Sequence, residues 1–293
     1  MDKKLKPINQ MSVKDRIKSY TRHPDSFVLL LLVGIAAVIT VITLLFLVGY
    51  ILVNGLPYLK PSLFAWEYNS DNVSMMPAIV NTILMVFLAL LFSVPFGIGA
   101  AIYLVEYAKK GNKLVGVVRL TAETLTGIPS IIYGLFGMLF FVIALGWSYS
   151  MLAGAMTLAI MVLPTVMRIT EEALLCVPLS YREGSFGLGA GKLRTIFKIV
   201  LPAAMPGILS SVILSIGRIV GETAALIYTA GTMTGMAGVM GSGRTLAIHM
   251  YVLSNEGLHK NEANATAVVL LFIVLIINAV SSLLAKKLEA SKA

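Results

Sequence analysis

The chain has 293 residues, 58% of them hydrophobic and 13% charged, with a formal net charge of +9. A soluble globular domain carries about 25% charged residues and seldom holds apolar runs of about 18 residues, so the composition excludes that class and indicates a polytopic membrane protein. The positive charge could suggest nucleic acid, but it gathers in segments on one expected face of a membrane; the single cysteine, Cys176, excludes an internal disulfide and suggests no thiolate metal site.

An all-α fold with about six spans is expected, over residues 27–53, 78–104, 131–145, 151–167, 208–228 and 265–284. At about 1.5 Å per residue, roughly 20 residues cross the hydrocarbon core, and the third run is short enough to need help from residues before it. The organisation reads as a basic tail over 1–26, a first helix over 27–53, an outer loop over 54–76, a core over 77–284 and a second tail over 285–293. The first run lacks the short apolar core and small-residue cleavage site of a signal peptide.

Lysine and arginine set the orientation. The first tail holds Lys3, Lys4, Lys6, Lys14, Arg16, Lys18 and Arg22, and the loop after the second span holds Lys109, Lys110, Lys113 and Arg119. Arg182, Lys192, Arg194 and Lys198 follow the fourth span, and Lys286, Lys287 and Lys292 end the chain. The other side has Lys60, Arg244 and Lys260, so both termini are expected on the cytoplasmic side.

Pro95, Gly97 and Gly99 in the second span either loosen the helix or let a neighbour pack closely. Next, Gly127 and Pro129 break or kink a helix beginning near Leu120, either at membrane depth or as simple termination before the third span. Met233, Met236 and Met240 lie in a glycine-rich outer loop that suits packing better than a soft-metal site. His249 and His259 have no ligand partners at helical spacing, and no nucleophile–base arrangement suggests an enzyme.

The loop over 171–204 contains "FGLGAGKLRT", which imitates a phosphate-cradling loop. Gly191 and Lys192 fit that pattern, but Phe186 replaces its first glycine and Leu193 its hydroxyl, so nucleotide binding is excluded there. Ser180 and Glu183 have the spacing of a capping box, which starts a short helix ended by Gly187, Gly189 and Gly191. A second helix from Lys192 carries Leu193, Ile196, Phe197, Val200 and Leu201 as one apolar stripe, with Lys192, Thr195 and Lys198 off it, before Pro202 and Pro206 open the fifth span. Such an element either lies on lipid headgroups or docks a cytoplasmic partner.

Arg218 lies near the middle of the fifth span, where a cation costs about 2.5–3.5 kcal/mol on insertion scales. Glu222 is four residues on, so the two are expected to share a helix face and pair. The pair either fixes packing or places a cation on an anion path, since the arginine fork matches phosphate oxygens.

Two resemblances sharpen these alternatives. The cytoplasmic loop resembles the E-A-A-x₃-G-x₉-I-x-L-P signature of type I ABC importer permeases: Glu183, Gly189, Ile199, Leu201 and Pro202 fall at its spacing, with Gly184 and Ser185 replacing the alanines. In that family the element inserts into a groove of the ATPase, so the resemblance implies a site that contacts an ATP-binding protein without binding ATP. "PFGIGAAIYLVEYA", "GIPSIIYGLFG" and "GRIVGETAALIYTAG" together resemble phosphate-uptake permeases of the PstA and PstC type, with "TLAIHMYVLSNEG" closer to PstA. That resemblance implies a subunit of a phosphate importer with the type I permease fold in a bacterial or archaeal cytoplasmic membrane. Its implied partners are a homologous PstC-type permease, an ATPase dimer that uses ATP and Mg²⁺, an external phosphate-binding protein and the lipid bilayer, with no nucleic acid. It implies no catalytic residue, metal or cofactor in this chain. Arg218 and Glu222 match positions implicated in phosphate passage, with Arg168, Glu171 and Glu172 as weaker candidates. Other readings are an importer of another oxyanion or polar nutrient, a secondary anion transporter, and a membrane scaffold.

Overall fold

In a bilayer the backbone must satisfy its own hydrogen bonds, and coiling does this for a single apolar segment. Helices and turns accordingly account for the regular structure among the described residues, and no strand occurs there. The computed structural model describes residues 24–109 and 111–290. The basic positions Lys3 to Arg22, Lys110 and Lys292 lie outside the described residues, as do the side chains of Lys286 and Lys287.

Two compact units meet at Val53 and Asn54. The first contains most of helix α1 (Pro24–Gly55), whose apolar residues occupy every face, as suits a span that meets lipid all round.

The second unit begins with 3₁₀ turns at Leu56–Tyr58 and Pro61–Phe64. Helix α2 (Met76–Ile102) continues through a π-helical turn, Tyr103–Tyr107. Helix α3 (Lys113–Thr126) is capped by the Asn112 side chain, which accepts from the Leu114 N–H at 3.0 Å. Helix α4 (Ser130–Gly137) runs on through a second π turn, Met138–Ala144. The axes of α3 and of the α4 segment differ by 102°, so Gly127 and Pro129 do break the span, and α3 starts at Lys113, earlier than expected. Helix α5 (Met151–Leu175) is capped by Ser150.

Three helices then bear the loop of interest: α6 (Leu179–Gly187), α7 (Lys192–Thr195) and α8 (Leu201–Val220). A π turn, Ile196–Val200, joins α7 to α8, so one helical run extends from Lys192 to Val220 with Pro202 and Pro206 inside it. The fifth span is therefore shifted from 208–228, because Gly221 ends it before the expected boundary. The short α9 (Ala224–Ile227), α10 (Leu246–Glu256) and the long α11 (Lys260–Ala290) complete the unit.

Helix α5 is central: 61% of its most apolar window is buried, against 28% or less for the other candidate spans. Its core includes Leu158, Met161 and Val162, which pack with Met85 and Leu88 of α2, Ile219 of α8 and Leu226 of α9. Small residues let the backbones approach where lipid supplies no hydrophobic drive. A Cβ on Gly97 would lie 2.7 Å from Val166 Cγ1, so this glycine serves close packing of α2 on α5. A Cβ on Gly134 would lie 2.7 Å from the Ala225 Cα, which makes glycine obligatory where α4 meets α9.

Candidate functional site

Arg218 is half-buried and sits in the last turn of α8, at the end of the run Lys192–Val220 rather than near the middle of a span as expected, because Gly221 ends the helix early. The negative end of the helix dipole faces this turn and favours a cation there. A cavity of about 500 Å³ lies beside it, lined by Thr165 of α5, by Leu214, Ser215 and Arg218 among the α8 residues, and by Asn278 of α11. Among the described residues, no carboxylate or hydrogen-bond acceptor partners the Arg218 guanidinium. The Tyr133 hydroxyl is within its electrostatic reach and donates to the Leu125 carbonyl at 2.8 Å, next to the broken span.

Glu222 does not pair with Arg218, contrary to the expectation from their spacing. The i,i+4 geometry requires a continuous helix, and α8 stops at Val220 with Gly221 as its cap. Glu222 is instead 9% exposed, and its Oε1 accepts from the Ala225 N–H at 3.1 Å. It caps the start of α9 and fixes the chain reversal immediately after Arg218.

Arg168, Glu171 and Glu172 lie farther along α5, which extends through them to Leu175 rather than ending near residue 167. Arg168 Nε lies 3.3 Å from Glu172 and its Nη1 lies 3.9 Å from Glu123 of α3. Glu171 is 7% exposed and meets Arg119 of α3 at 2.5 Å. These five charged residues line a second cavity of about 300 Å³. The family resemblance brought out three of them; Arg119 and Glu123 join only through the packing of α3 on α5.

At the same end of the unit, α6 presents Glu183 and Gly184 at the surface beside the exposed Leu179, Tyr181, Phe186 and Leu188. Ser185 points inward and its hydroxyl shares a 2.8 Å hydrogen bond with the buried Thr195 hydroxyl. The expected capping box does not form. Pro178 is the N-cap, so Ser180 falls inside the first turn and makes no cap bond. The first turn is held instead by Arg182, whose Nη2 donates to Glu106 Oε1 at 2.8 Å and to the Leu174 carbonyl at 2.9 Å, and whose Nη1 donates to the Val177 carbonyl at 2.8 Å. The pair is 14% and 9% exposed at its two side chains. Residues 76 apart in sequence carry no spacing signal, and this anchor escapes sequence reading.

Gly189 has φ +80°, the left-handed turn expected after α6. The apolar stripe is only half buried. Ile196 and Val200 are in the core, but Leu193 and Phe197 are exposed and Thr195 is buried. The π turn shifts the helical phase between Ile196 and Val200 and brings Thr195 against Ser185. Ile199, Leu201 and Pro202 are half-buried along the same run, and a cavity of about 260 Å³ passes Ser185, Gly189 and Ile199.

The profile described as "Binding-protein-dependent transport system inner membrane component" matches residues 93–292. The probable ABC transporter permease protein YqgI of Bacillus subtilis is 30% identical over 286 residues, which is 88% of this chain and 95% of that protein. A probable phosphate transport system permease protein PstA of Methanocaldococcus jannaschii is 32% identical over 208 residues, 70% of this chain and 72% of its own length. Among solved structures, a bacterial alginate ABC transporter in complex with its alginate-bound periplasmic protein gives a TM-score of 0.68 at 15% identity, over 92% of this chain and 97% of its own, a likeness of fold. The broken span, the central α5 and the projecting α6 are thus features of a multi-pass permease subunit, and the chain belongs to the family of binding-protein-dependent transport system inner membrane components.

Proposed function

We propose that this chain forms half of the membrane pathway of an ATP-driven importer of inorganic phosphate. The observation that carries the reading is Arg218: a cation in a spanning segment, at the wall of a largely apolar cavity, with no counter-charge from the described residues. A permanent partner would neutralise such a group, whereas a transported anion neutralises it only in passing. The kinship with a protein named as a phosphate permease supports phosphate as that anion.

In this reading Glu222 positions the chain reversal behind Arg218, and Arg168, Glu171 and Glu172 line the route beyond it. A homologous PstC-type permease supplies the other half, and an external phosphate-binding protein delivers the anion. Two ATPase subunits dock on the Glu183–Gly184–Ser185 surface and on the run through Gly189, Ile199, Leu201 and Pro202, using ATP and Mg²⁺ themselves. Both termini and α6 then face the cytoplasm of a bacterial or archaeal cell. ATPase closure pushes α6, the Arg182–Glu106 pair passes the displacement to α2, and α2 carries it to α5 and α8 around Arg218. The binding and hydrolysis of nucleotide belong to the partner, and this chain contributes orientation and charge.

The test is labelled-phosphate uptake at low phosphate in cells lacking only this chain, with and without the chain restored, in the presence of sulfate or molybdate. Uptake that returns with the chain and resists both competitors is expected. Uptake indifferent to the chain would remove phosphate as the substrate.

A further inference from the structure

Buried polar atoms without a partner are few in a folded protein, and each calls for a cause. Seven buried side-chain atoms lack a well-formed hydrogen bond among the described residues, and five of them fall within residues 244–249: Nε and Nη2 of Arg244, Oγ1 of Thr245, and both ring nitrogens of His249. The three residues are 3%, 1% and 0% exposed. They stand at the start of α10, beside the first turns of α2 and so at the opposite end of that helical run from the Arg182–Glu106 anchor.

Main-chain bonds fix this stretch in place. The Arg244 N–H donates to the Met233 carbonyl at 2.9 Å, the Arg244 carbonyl accepts from Asn81 Nδ2 at 3.2 Å, and the Leu246 N–H donates to Thr82 Oγ1 at 2.9 Å. The Tyr68 ring lies over the guanidinium, with Cζ 4.7 Å from its centroid, and meets the His249 ring edge-on at 6.2 Å. One aromatic ring thus joins the two side chains. The loop that carries Tyr68 spends its polar groups on itself: the Asn72 N–H donates to Asn69 Oδ1 at 2.7 Å, and Asn72 Nδ2 donates to the Glu67 carbonyl at 2.8 Å. Its Val73 is buried with φ +45°, which a β-branched residue adopts only under constraint, and such constraint gathers at ligand clamps. Among the described residues, no ion pair includes Arg244.

Nε and Nη2 form one edge of the guanidinium, the same edge that Arg182 sets against Glu106 at 3.0 and 2.8 Å. That edge matches the oxygens of a carboxylate or a tetrahedral oxyanion. Water would take up its hydrogen bonds but leave the buried charge uncompensated, and the Tyr68 face attracts the cation without engaging these N–H groups. The positive end of α10 adds to the field, because Thr245 stands at the N-cap without capping. Burial, and then Arg244, push the His249 pKa down to about 3 against the opposing influence of the Val73 backbone, so near neutral pH the ring brings an N–H donor and no charge. Burial of all three residues suits a small ion better than a broad partner surface. The geometry points to a second anion site, in which the Arg244 fork, the Thr245 hydroxyl and the His249 N–H hold a small inorganic oxyanion beneath the Tyr68 loop. It shares no residue with the Arg218 cavity and does not depend on the reading of that residue.

The experiment is equilibrium binding of labelled phosphate and labelled sulfate to the purified permease–ATPase complex without the external protein, in the Arg218→Gln background. Saturable binding of at least one of the two anions is expected. Arg244→Met should abolish it, and Arg244→Lys, which keeps a cation but loses the fork, should weaken it by at least about tenfold, the scale of one hydrogen bond to a charged group. The near-isosteric Thr245→Val should weaken it by about threefold or more with normal recovery of the complex, which keeps the test decisive where an Arg244 variant does not assemble. No saturable binding in this background, or binding unchanged in an assembled Arg244→Lys or Thr245→Val complex, would overturn the site and leave Arg218 untouched. Phosphate uptake undiminished in Arg218→Gln alone would instead remove the reading of Arg218 and leave this site standing.

Discussion

The cavity beside Arg218 and the anchor beneath α6 treat an arginine in opposite ways. Arg182 is saturated, with Glu106 and the carbonyls of Leu174 and Val177 taking up its donors. Arg218 has no such partners among the described residues, and it stands at the wall of a cavity. Satisfied donors make a rigid joint, because moving either side leaves a buried charge uncompensated. Unsatisfied donors around a cavity make a site that a transient anion completes. In the proposed reading the same side chain serves as strut at one place and as receptor at the other, and the surrounding acceptors decide which.

That contrast is broken most severely at Arg218. Replacing it with glutamine is expected to abolish phosphate uptake while the complex still assembles, read by uptake and by recovery of the ATPase on one purified sample. At the other region, Glu183→Lys should leave membrane insertion intact and abolish ATPase co-purification, because Glu183 lies on the exposed face of α6. Normal ATPase recovery would remove that face from the docking surface.

Arg182→Gln tests the strut. Breaking a buried pair by removing one partner costs about 3–5 kcal/mol, so α6 should become protease-sensitive while anion binding at Arg218 persists. Exchanging the two charges, Arg182→Glu with Glu106→Arg, should restore part of the protection. Native protease resistance in the single variant would deny the anchor its role.

Gly134→Val sharpens the comparison from between the two regions. Its side chain would collide with the Ala225 backbone, and an overpacking cost of about 1–3 kcal/mol should lower the unfolding temperature of the complex. The smallest effect on stability is expected from Arg168→Gln. Its pairs with Glu172 and Glu123 involve side chains more than half exposed, and exposed pairs contribute about 0.2–1 kcal/mol. A large loss of thermal stability there would show that the second cavity is a structural clamp.

The contrast also sorts what the sequence could reveal. Local chemistry was legible: the Gly127–Pro129 break, the left-handed Gly189 and the apolar spans follow from φ preferences and hydropathy. The arginine in the fifth span was legible for the same reason, since its cost is visible without a fold. The pairing of Arg218 with Glu222 failed because i,i+4 reasoning presumes a helix, and Gly221 ends it between them. Thr195 was misassigned to the polar side because a π turn alters the phase that a period of 3.6 assumes. Arg182 with Glu106 was invisible because the pairing is made by segments far apart in the chain.

The central claim is that Arg218 is a receptor for the transported anion and no part of the scaffold. The direct measurement is labelled-phosphate uptake by the complete transporter carrying Arg218→Gln, with ATPase recovery and unfolding temperature measured on the same preparation. The account expects uptake to fall to background with both controls unchanged. Undiminished uptake, or a loss of uptake that merely follows a collapse of the complex, would contradict it.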